Sequence, residues 1–257
     1  MWYNVTMRRF LVKVQFNGKQ YAGFQINGDK KTIQLEIENC LQKLFAEKIT
    51  IAGCSRTDSG VSAKEFYFTF DAETKLPADR ICFKLNRFLP NEIQCQQSSE
   101  VDTKLNLRAN IESKTYEYSV YDGMHIQPLL NRDAVFVEGK LDVLNMQKCA
   151  NMLVGRHNFK SFCNYNDDVK TYTRNLVDAK VVRFDDLIKI YLTADGFLYN
   201  MVRVVAGTLV ECGKGNLGTK DIENLLKICD RSQNIAKTMS PKGLVLEKVC
   251  FKKWLRL

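Results

Sequence analysis

The chain is 257 residues long, 45% hydrophobic and 26% charged, with 14 Gly and 4 Pro. Those proportions exclude a disordered, collagenous or low-complexity chain, and the length fits one large domain or two modest ones with no need of a disulfide or metal staple. Lys and Arg number 38 against 29 Asp and Glu, and this net charge of +9 favours a polyanionic partner, though weakly.

The elements alternate between β and α. Residues 8–16 place Phe10, Val12, Val14 and Phe16 on one face of a strand. A loop holding Gly18, Tyr21, Gly23 and Phe24 follows. Thr32 is suited to cap a helix over 33–48 with the stripe Ile33, Ile37, Leu41, Leu44 and Phe45. Strands over 49–54 and 65–71 flank a turn rich in Gly, Ser and Asp. A second helix opens near Pro77, carries Ile81, Leu85 and Phe88, and ends in 86–91. Strands are expected near 93–97 and 114–121, and 122–140 reads as a crossover. A helix over 141–153 carries Leu141, Leu144, Met146, Cys149 and Leu153 and stops at Gly155. Strands 175–184 and 187–194 form a hairpin. Helices over 197–211 and 220–229 and a strand over 244–251 close the chain. The order is that of a split βαβ, ferredoxin-like pattern met twice, with the division near 110–140.

The nine cysteines form no C-x-x-C pair and sit in apolar strings, which fits reduced thiols packed as small hydrophobes in a cytoplasmic protein. No secretory leader is expected, because no long apolar run follows Arg8 and Arg9. No membrane span is expected either. The most apolar segment, 197–210, is short and contains Arg203. His125 and His157 lack the companions a metal site needs.

The most informative segment is 52–63, AGCSRTDSGVSA. An ordinary hairpin needs one Gly or Asn-Gly, whereas this turn strings together Gly53, Ser55, Arg56, Thr57, Asp58, Ser59 and Gly60. Small residues allow close approach of a ligand or another backbone. Asp58 offers a carboxylate for nucleophilic or base chemistry, and Ser55, Thr57 and Ser59 offer hydroxyl donors. The competing reading is an Asx or ST turn in which Asp58 only accepts backbone N–H bonds.

The string resembles G-R-T-D-x-G-V-x-A of the TruA family of tRNA pseudouridine synthases. Further motifs resemble that family in order: NGKQYAGFQ (17–25), LNRFLPNEI (85–93), Arg108 followed by Lys114, Tyr116 and Tyr118, MLVGRHNFKSF (152–162), DGFLYNMVRVVAGTLVECG (195–213) and PKGLVL (241–246). The resemblance spans about residues 8–251. It departs at Ser55, where the family usually has Gly, at Ser62, where it usually has His, and at Leu105-Asn106-Leu107-Arg108 in place of an FHAR-like string.

The resemblance implies an α+β pseudouridine synthase fold: two ferredoxin-like or RRM-like halves sharing a mixed, mainly antiparallel sheet with a central catalytic cleft. Residues 1–110 form the half with the catalytic Asp loop, and 111–257 the half that completes the cleft. It implies isomerisation of uridine to pseudouridine in the tRNA anticodon stem-loop, at tRNA positions 38, 39 and 40, with no cofactor and no metal. Alternatives are another RNA such as rRNA, or a non-catalytic RNA-binding module. The catalytic residues carried over are Asp58, Arg203 and Tyr116. Arg203 is the ion-pair partner of Asp58, and Tyr116 stacks on the target base. Substrate contacts fall to Tyr116, Arg56, Thr57, Arg108, Leu244 and Leu246, with Arg56 helping to extrude the nucleotide and Leu244 or Leu246 forming an apolar floor. From the residues alone, Arg203 also reads as a snorkelling arginine and Tyr116 as a core aromatic. The RNA backbone is assigned to Arg8, Arg9, Lys19, Lys30, Lys31, Arg87 and Lys160. The family forms homodimers with RNA spanning both subunits; no membrane partner is expected.

Overall fold

The structure, a computed structural model, describes residues 6–167 and 169–252. The outermost residues of the two expected halves, 1–5 and 253–257, lie outside the described residues. The chain divides into two compact units: the described residues up to Glu112 together with those from Leu246, and Ser113–Val245. The architecture is α+β. Its strand pairs are mostly antiparallel, and β-pairing in the second unit includes one parallel pair.

In the first unit, β1 (Met7–Phe16) lies between β3 (Ser62–Glu73) and β4 (Ile93–Val101), and β2 (Ala52–Gly53) pairs with β3. Register puts Phe10 opposite Phe70, Val12 opposite Phe68 and Val14 opposite Phe66. One face of this sheet is therefore a row of buried aromatic and β-branched side chains. Helices α1 (Ile33–Phe45) and α2 (Ala78–Leu85) supply Ile33, Ile37, Leu41, Ile81 and Leu85 to the buried core. Thr32 caps α1 as expected, its Oγ1 accepting from the Leu35 N–H at 3.3 Å.

Helix α1 stops at Phe45 rather than at 48, because Ala46 takes a left-handed conformation and its N–H closes on the Gln42 carbonyl. Helix α2 also stops early. Asn86 turns its amide onto β4, accepting from the Cys95 N–H and donating to the Cys95 carbonyl, both at 2.8 Å. Phe88 therefore falls beyond the helix and is 43% exposed, not on the core stripe.

In the second unit, β5 (Ile111–Gly123), β9 (Leu187–Ala194), β8 (Thr173–Phe184) and β7 (Gly155–Asn158) follow one another across the sheet. The expected crossover holds a short strand, β6 (Val135–Glu138), parallel to β5. Four residues were too few for periodicity to reveal it. Helix α3 (Val143–Met152) is capped by Asp142, and Leu144 points outward at 76% exposure while Met146 and Cys149 are buried. Helix α4 (Met201–Gly213) starts later than expected, since Asn200 adopts φ 58° and only then does the helix run. Nearly every α4 side chain is buried, and a Cβ on Gly207 would sit 2.4 Å from the Lys237 carbonyl oxygen. Helix α5 (Thr219–Ile228) follows, and β10 (Leu244–Phe251) begins in this unit and belongs to the first from Leu246 on. No helix among the described residues is long and apolar enough to cross a membrane.

Seven of the nine cysteines are buried, and Cys229 and Cys250 are partly so. Burial pushes the Cys163 thiol up to about 11, so it is protonated and unreactive near neutrality.

The crossover is tied to the second unit by a buried carboxylate. Asp122 is fully buried and receives both terminal nitrogens of Arg183, at 2.8 and 2.7 Å, together with the Leu141 N–H at 2.7 Å and Lys140 at 3.3 Å. Burial alone would raise this carboxyl. The Arg183 fork, the Leu141 N–H and Lys140 outweigh it and hold it at about 2. A carboxyl whose folded value lies below its unfolded one, about 3.9, contributes stability that is present above the unfolded value and lost as pH falls through about 2. Asp122→Ala strands Arg183 and should cost about 3–5 kcal/mol, seen as a lower urea midpoint at neutral pH. The wild-type midpoint should fall between pH 5 and pH 2 by more than that of Asp122→Asn.

Candidate active site

The Asp58 loop lies in the first unit and is held by main-chain contacts from residues 17–25. The Tyr21 carbonyl accepts from the Gly60 N–H at 3.1 Å and from the Ser59 hydroxyl at 3.3 Å. The Phe24 N–H donates to the Thr57 carbonyl at 3.2 Å. The Gly18 N–H donates to Ser62 Oγ at 3.0 Å. The Asp58 carbonyl accepts from the Val61 N–H at 3.2 Å, closing a tight turn with Gly60 at φ +80°. Four of these five hydrogen bonds join the two loops, and together they fix the backbone on both sides of Asp58.

This approach is possible because two residues have no side chain. A Cβ on Gly18 would lie 1.8 Å from the Val61 carbonyl oxygen, and one on Gly23, which sits at φ +90°, 2.6 Å from that of Thr57. Tyr21 is buried, and its hydroxyl has no hydrogen-bond partner among the described residues. Burial first, then Glu36, Glu92 and the Cys40 thiol, push that hydroxyl up to about 12, so Tyr21 acts as a neutral aromatic body with a useful carbonyl. Thr57 is 7% exposed, and its buried Oγ1 has no protein partner among the described residues. An unpaired buried hydroxyl is costly. Asp58 is half-buried and Arg56 is exposed.

The second unit carries Tyr116, on β5, and Arg203, on α4. Tyr116 is buried edge-to-face against Phe197, with ring centroids 5.0 Å apart at 85°. Tyr118, two residues on, is fully buried and donates its hydroxyl to the Ser240 carbonyl at 2.6 Å. Arg203 is only partly buried, yet it does not simply reach for water. Its Nε donates to the Met239 carbonyl and its Nη1 to Asn200 Oδ1, both at 2.6 Å. Met239 returns its N–H to the Arg203 carbonyl at 3.3 Å. The guanidinium is thus held in part by a main-chain carbonyl and by the side chain directly before α4. Leu244 and Leu246 are both buried at the beginning of β10.

The expected backbone cations divide into two groups. Arg8 binds the Thr74 and Leu76 carbonyls and Glu100, and Arg9 makes a 2.7 Å fork with Asp71 and donates to the Leu105 carbonyl. These two arginines are engaged within the fold. Lys19, Lys30, Lys31, Arg87 and Lys160 are exposed. Lys31 lies over the Tyr21 ring at 4.9 Å and Lys160 over the Tyr172 ring at 5.8 Å. Arg108 is exposed but anchored, with Nε donating to the Gly53 carbonyl at 2.9 Å.

Three contributors were not singled out from sequence: Asn200, Met239 and the Tyr21 carbonyl. Asn200 had a readable signal. Asn is the residue after Gly most tolerant of a left-handed conformation, and it stands directly before an apolar helical run. The other two act through main-chain oxygens, which leave no mark on residue identity.

A family model described as tRNA pseudouridine synthase matches residues 149–252, which places the second half of the chain among pseudouridine synthases. The chain is 36% identical to tRNA pseudouridine synthase A of Caldicellulosiruptor bescii over 245 residues, 95% of this chain and 100% of that protein. It is 34% identical to the protein of the same name from Caldicellulosiruptor saccharolyticus, with the same coverage of both chains. It is 35% identical to that of Staphylococcus aureus over 241 residues, 94% of this chain and 90% of the relative. The chain belongs to the TruA family of tRNA pseudouridine synthases.

The two glycines allow a matched comparison. Gly23→Ala should leave the far-UV spectrum intact and cut kcat for uridine isomerisation by about tenfold or more, because the Cβ pushes on the Thr57 carbonyl beside Asp58. Gly28→Ala carries similar backbone strain at φ +55° but meets nothing within 4 Å, so it should cost only about 1–2 kcal/mol of stability and leave kcat unchanged.

Proposed function

We propose that the chain isomerises uridine to pseudouridine in the anticodon stem-loop of tRNA, at tRNA positions 38, 39 and 40, as a cytoplasmic homodimer. Asp58, Arg203 and Tyr116 are the catalytic residues. The observation that carries this reading is the setting of Arg203. An arginine on an otherwise apolar helix, held by Asn200 and Met239, is a preformed cation of the kind that family chemistry requires beside a carboxylate.

The reaction breaks the N1–C1′ bond of uridine, turns the base, and forms a C5–C1′ bond. Asp58 begins it in one of two ways: its carboxylate attacks C1′ and expels the uracil anion, or it removes the 2′ proton to drive the same cleavage. As C5 joins C1′, Asp58 is displaced from C1′ or returns the 2′ proton, according to the route; C5 then loses its proton to solvent and N1 takes one up. Both routes need the ionised carboxylate, and Arg203 is the cation that keeps it so. Tyr116 offers its ring to the uracil plane, fixed from behind by Phe197. Thr57 supplies its buried hydroxyl to the substrate. Arg56, exposed at the loop tip, takes the place of the extruded nucleotide, and Leu244 and Leu246 give the base an apolar floor. Arg108 and the exposed lysines follow the phosphates.

The deciding experiment measures release of label from C5-tritiated uridine in bulk tRNA and rRNA, followed by mapping of the modified positions. Wild type should release label from tRNA, and Asp58→Asn should release none. Arg203→Lys should fall by on the order of 10²-fold or more, since one ammonium cannot reproduce a two-acceptor geometry. Tyr116→Phe should keep most of its KM and Tyr116→Ala should lose it. Release from rRNA alone would move the substrate assignment, and no release from any RNA would leave a binding module.

A further inference from the structure

The first unit contains a cleft of about 730 Å³ of which the roles above use only Arg108. Its floor is the segment 49–53 beside β3, and its lip is the segment 104–108. We propose that this cleft is a second contact for the tRNA substrate, gripping the sugar–phosphate backbone next to the target site through Lys48 and Lys104. The proposal rests on the reading of the chain as a tRNA-modifying enzyme and adds a subsite to it.

Three observations carry it. The first is charge. Lys48, Lys104 and Arg108 line the cleft, all are exposed, and none makes an ion pair among the described residues. The single carboxylate in the lining is Asp71, and it is occupied by the 2.7 Å fork from Arg9. The cleft is therefore a positive hollow with its own negative charge already neutralised, which suits a polyanion.

The second is the absence of a stacking platform within the lining. Phe24 and Phe70 are its aromatic residues, and both are buried in the core. Single-strand sites that hold bases use exposed rings, so this cleft is built for phosphates and sugars and positions RNA without reading its sequence.

The third is continuity with the Asp58 loop. Arg108 Nε donates to the Gly53 carbonyl, and Phe24, another wall residue, donates its N–H to the Thr57 carbonyl. Gly53 and Asp58 are five residues apart, a span of at most about 17 Å even if fully extended. A strand of RNA lying in the cleft is within a few nucleotides of a uridine presented to Asp58. The volume is that of an ordinary small-ligand site, enough for one or two nucleotides rather than a duplex.

The test uses the full chain and an unmodified tRNA transcript. Affinity is measured across a potassium chloride series, and conversion is followed in single turnover at saturating tRNA. Lys48→Ala/Lys104→Ala should weaken binding by about tenfold at moderate salt and flatten the log Kd against log salt slope by nearly 2, with the single-turnover rate unchanged. Lys148→Ala/Lys220→Ala removes the same charge from exposed positions on α3 and α5 and should leave both quantities near wild type. Equal behaviour of the two double variants overturns the cleft proposal. So does protection of the cleft lysines from acylation by free phosphate or nucleotide but not by tRNA. Failure of the wild type itself to bind or convert tRNA is a different result, and it overturns the function assigned above.

Discussion

The first unit depends on one loop lying against another. The backbone of residues 17–25 meets the backbone and two serine hydroxyls of residues 57–62, and Gly18 and Gly23 are the positions where a single methyl group would prevent it. Each hydrogen bond across the contact contributes only about 1 kcal/mol net. The consequence for chemistry is larger than that sum. A reacting carboxylate must be placed to within a fraction of an ångström, and loops achieve this only when rigid neighbours hold them. Here the rigid neighbours are β1, which leads into residues 17–25, and α1, which follows them. The loop bearing Asp58 is thus braced through residues 17–25, themselves anchored by a strand before them and a capped helix after them.

The second unit solves the equivalent problem for a cation. Arg203 lies on a helix whose other faces are buried, where an unsatisfied guanidinium would be expensive. Met239 and Asn200 meet that need and at the same time fix the direction of the group. The cost is conformational: Asn200 must hold φ 58°, a region that Asn tolerates better than most residues. Arg183 in the same unit and Arg9 in the other are used differently. Both form two-point forks with an aspartate and serve the fold. Counting arginines therefore says little about RNA contact until the partners of each are known.

Much of this was legible in the sequence. The period-2 run of β1, the stripe of α1, the Asp185–Asp186 hairpin and the motif around Asp58 correspond to elements in the structure. What was not legible falls into two kinds. Boundaries moved where one residue left the regular conformation: Ala46 ended α1 early and Asn200 delayed α4, shifts that side-chain periodicity does not register. Packing failed where periodicity was extended past a helix end or onto an exposed flank, as with Phe88 and Leu144. Of the residues the family resemblance assigns to catalysis, Asp58, Tyr116 and Arg203 stand out by type and motif. The Tyr21 and Met239 carbonyls do not, because every residue has one.

The departures from the family pattern can be weighed on the same physical terms. Ser62 stands where the family usually has His, and its hydroxyl accepts the Gly18 N–H at 3.0 Å, so the exchange supplies the loop contact with an acceptor. Ser55 stands where Gly is usual. It is nearly buried, and its hydroxyl donates to the neighbouring Arg56 carbonyl at 3.3 Å, a local bond that stiffens the approach to Asp58. The replaced string at 105–108 keeps its arginine bound to the Gly53 carbonyl and buries Leu105 and Leu107. None of the three removes a support of the Asp58 loop. Ser62 and Ser55 add local hydrogen bonds around it, and the string at 105–108 anchors Arg108 on the carbonyl of Gly53, which leads into the loop.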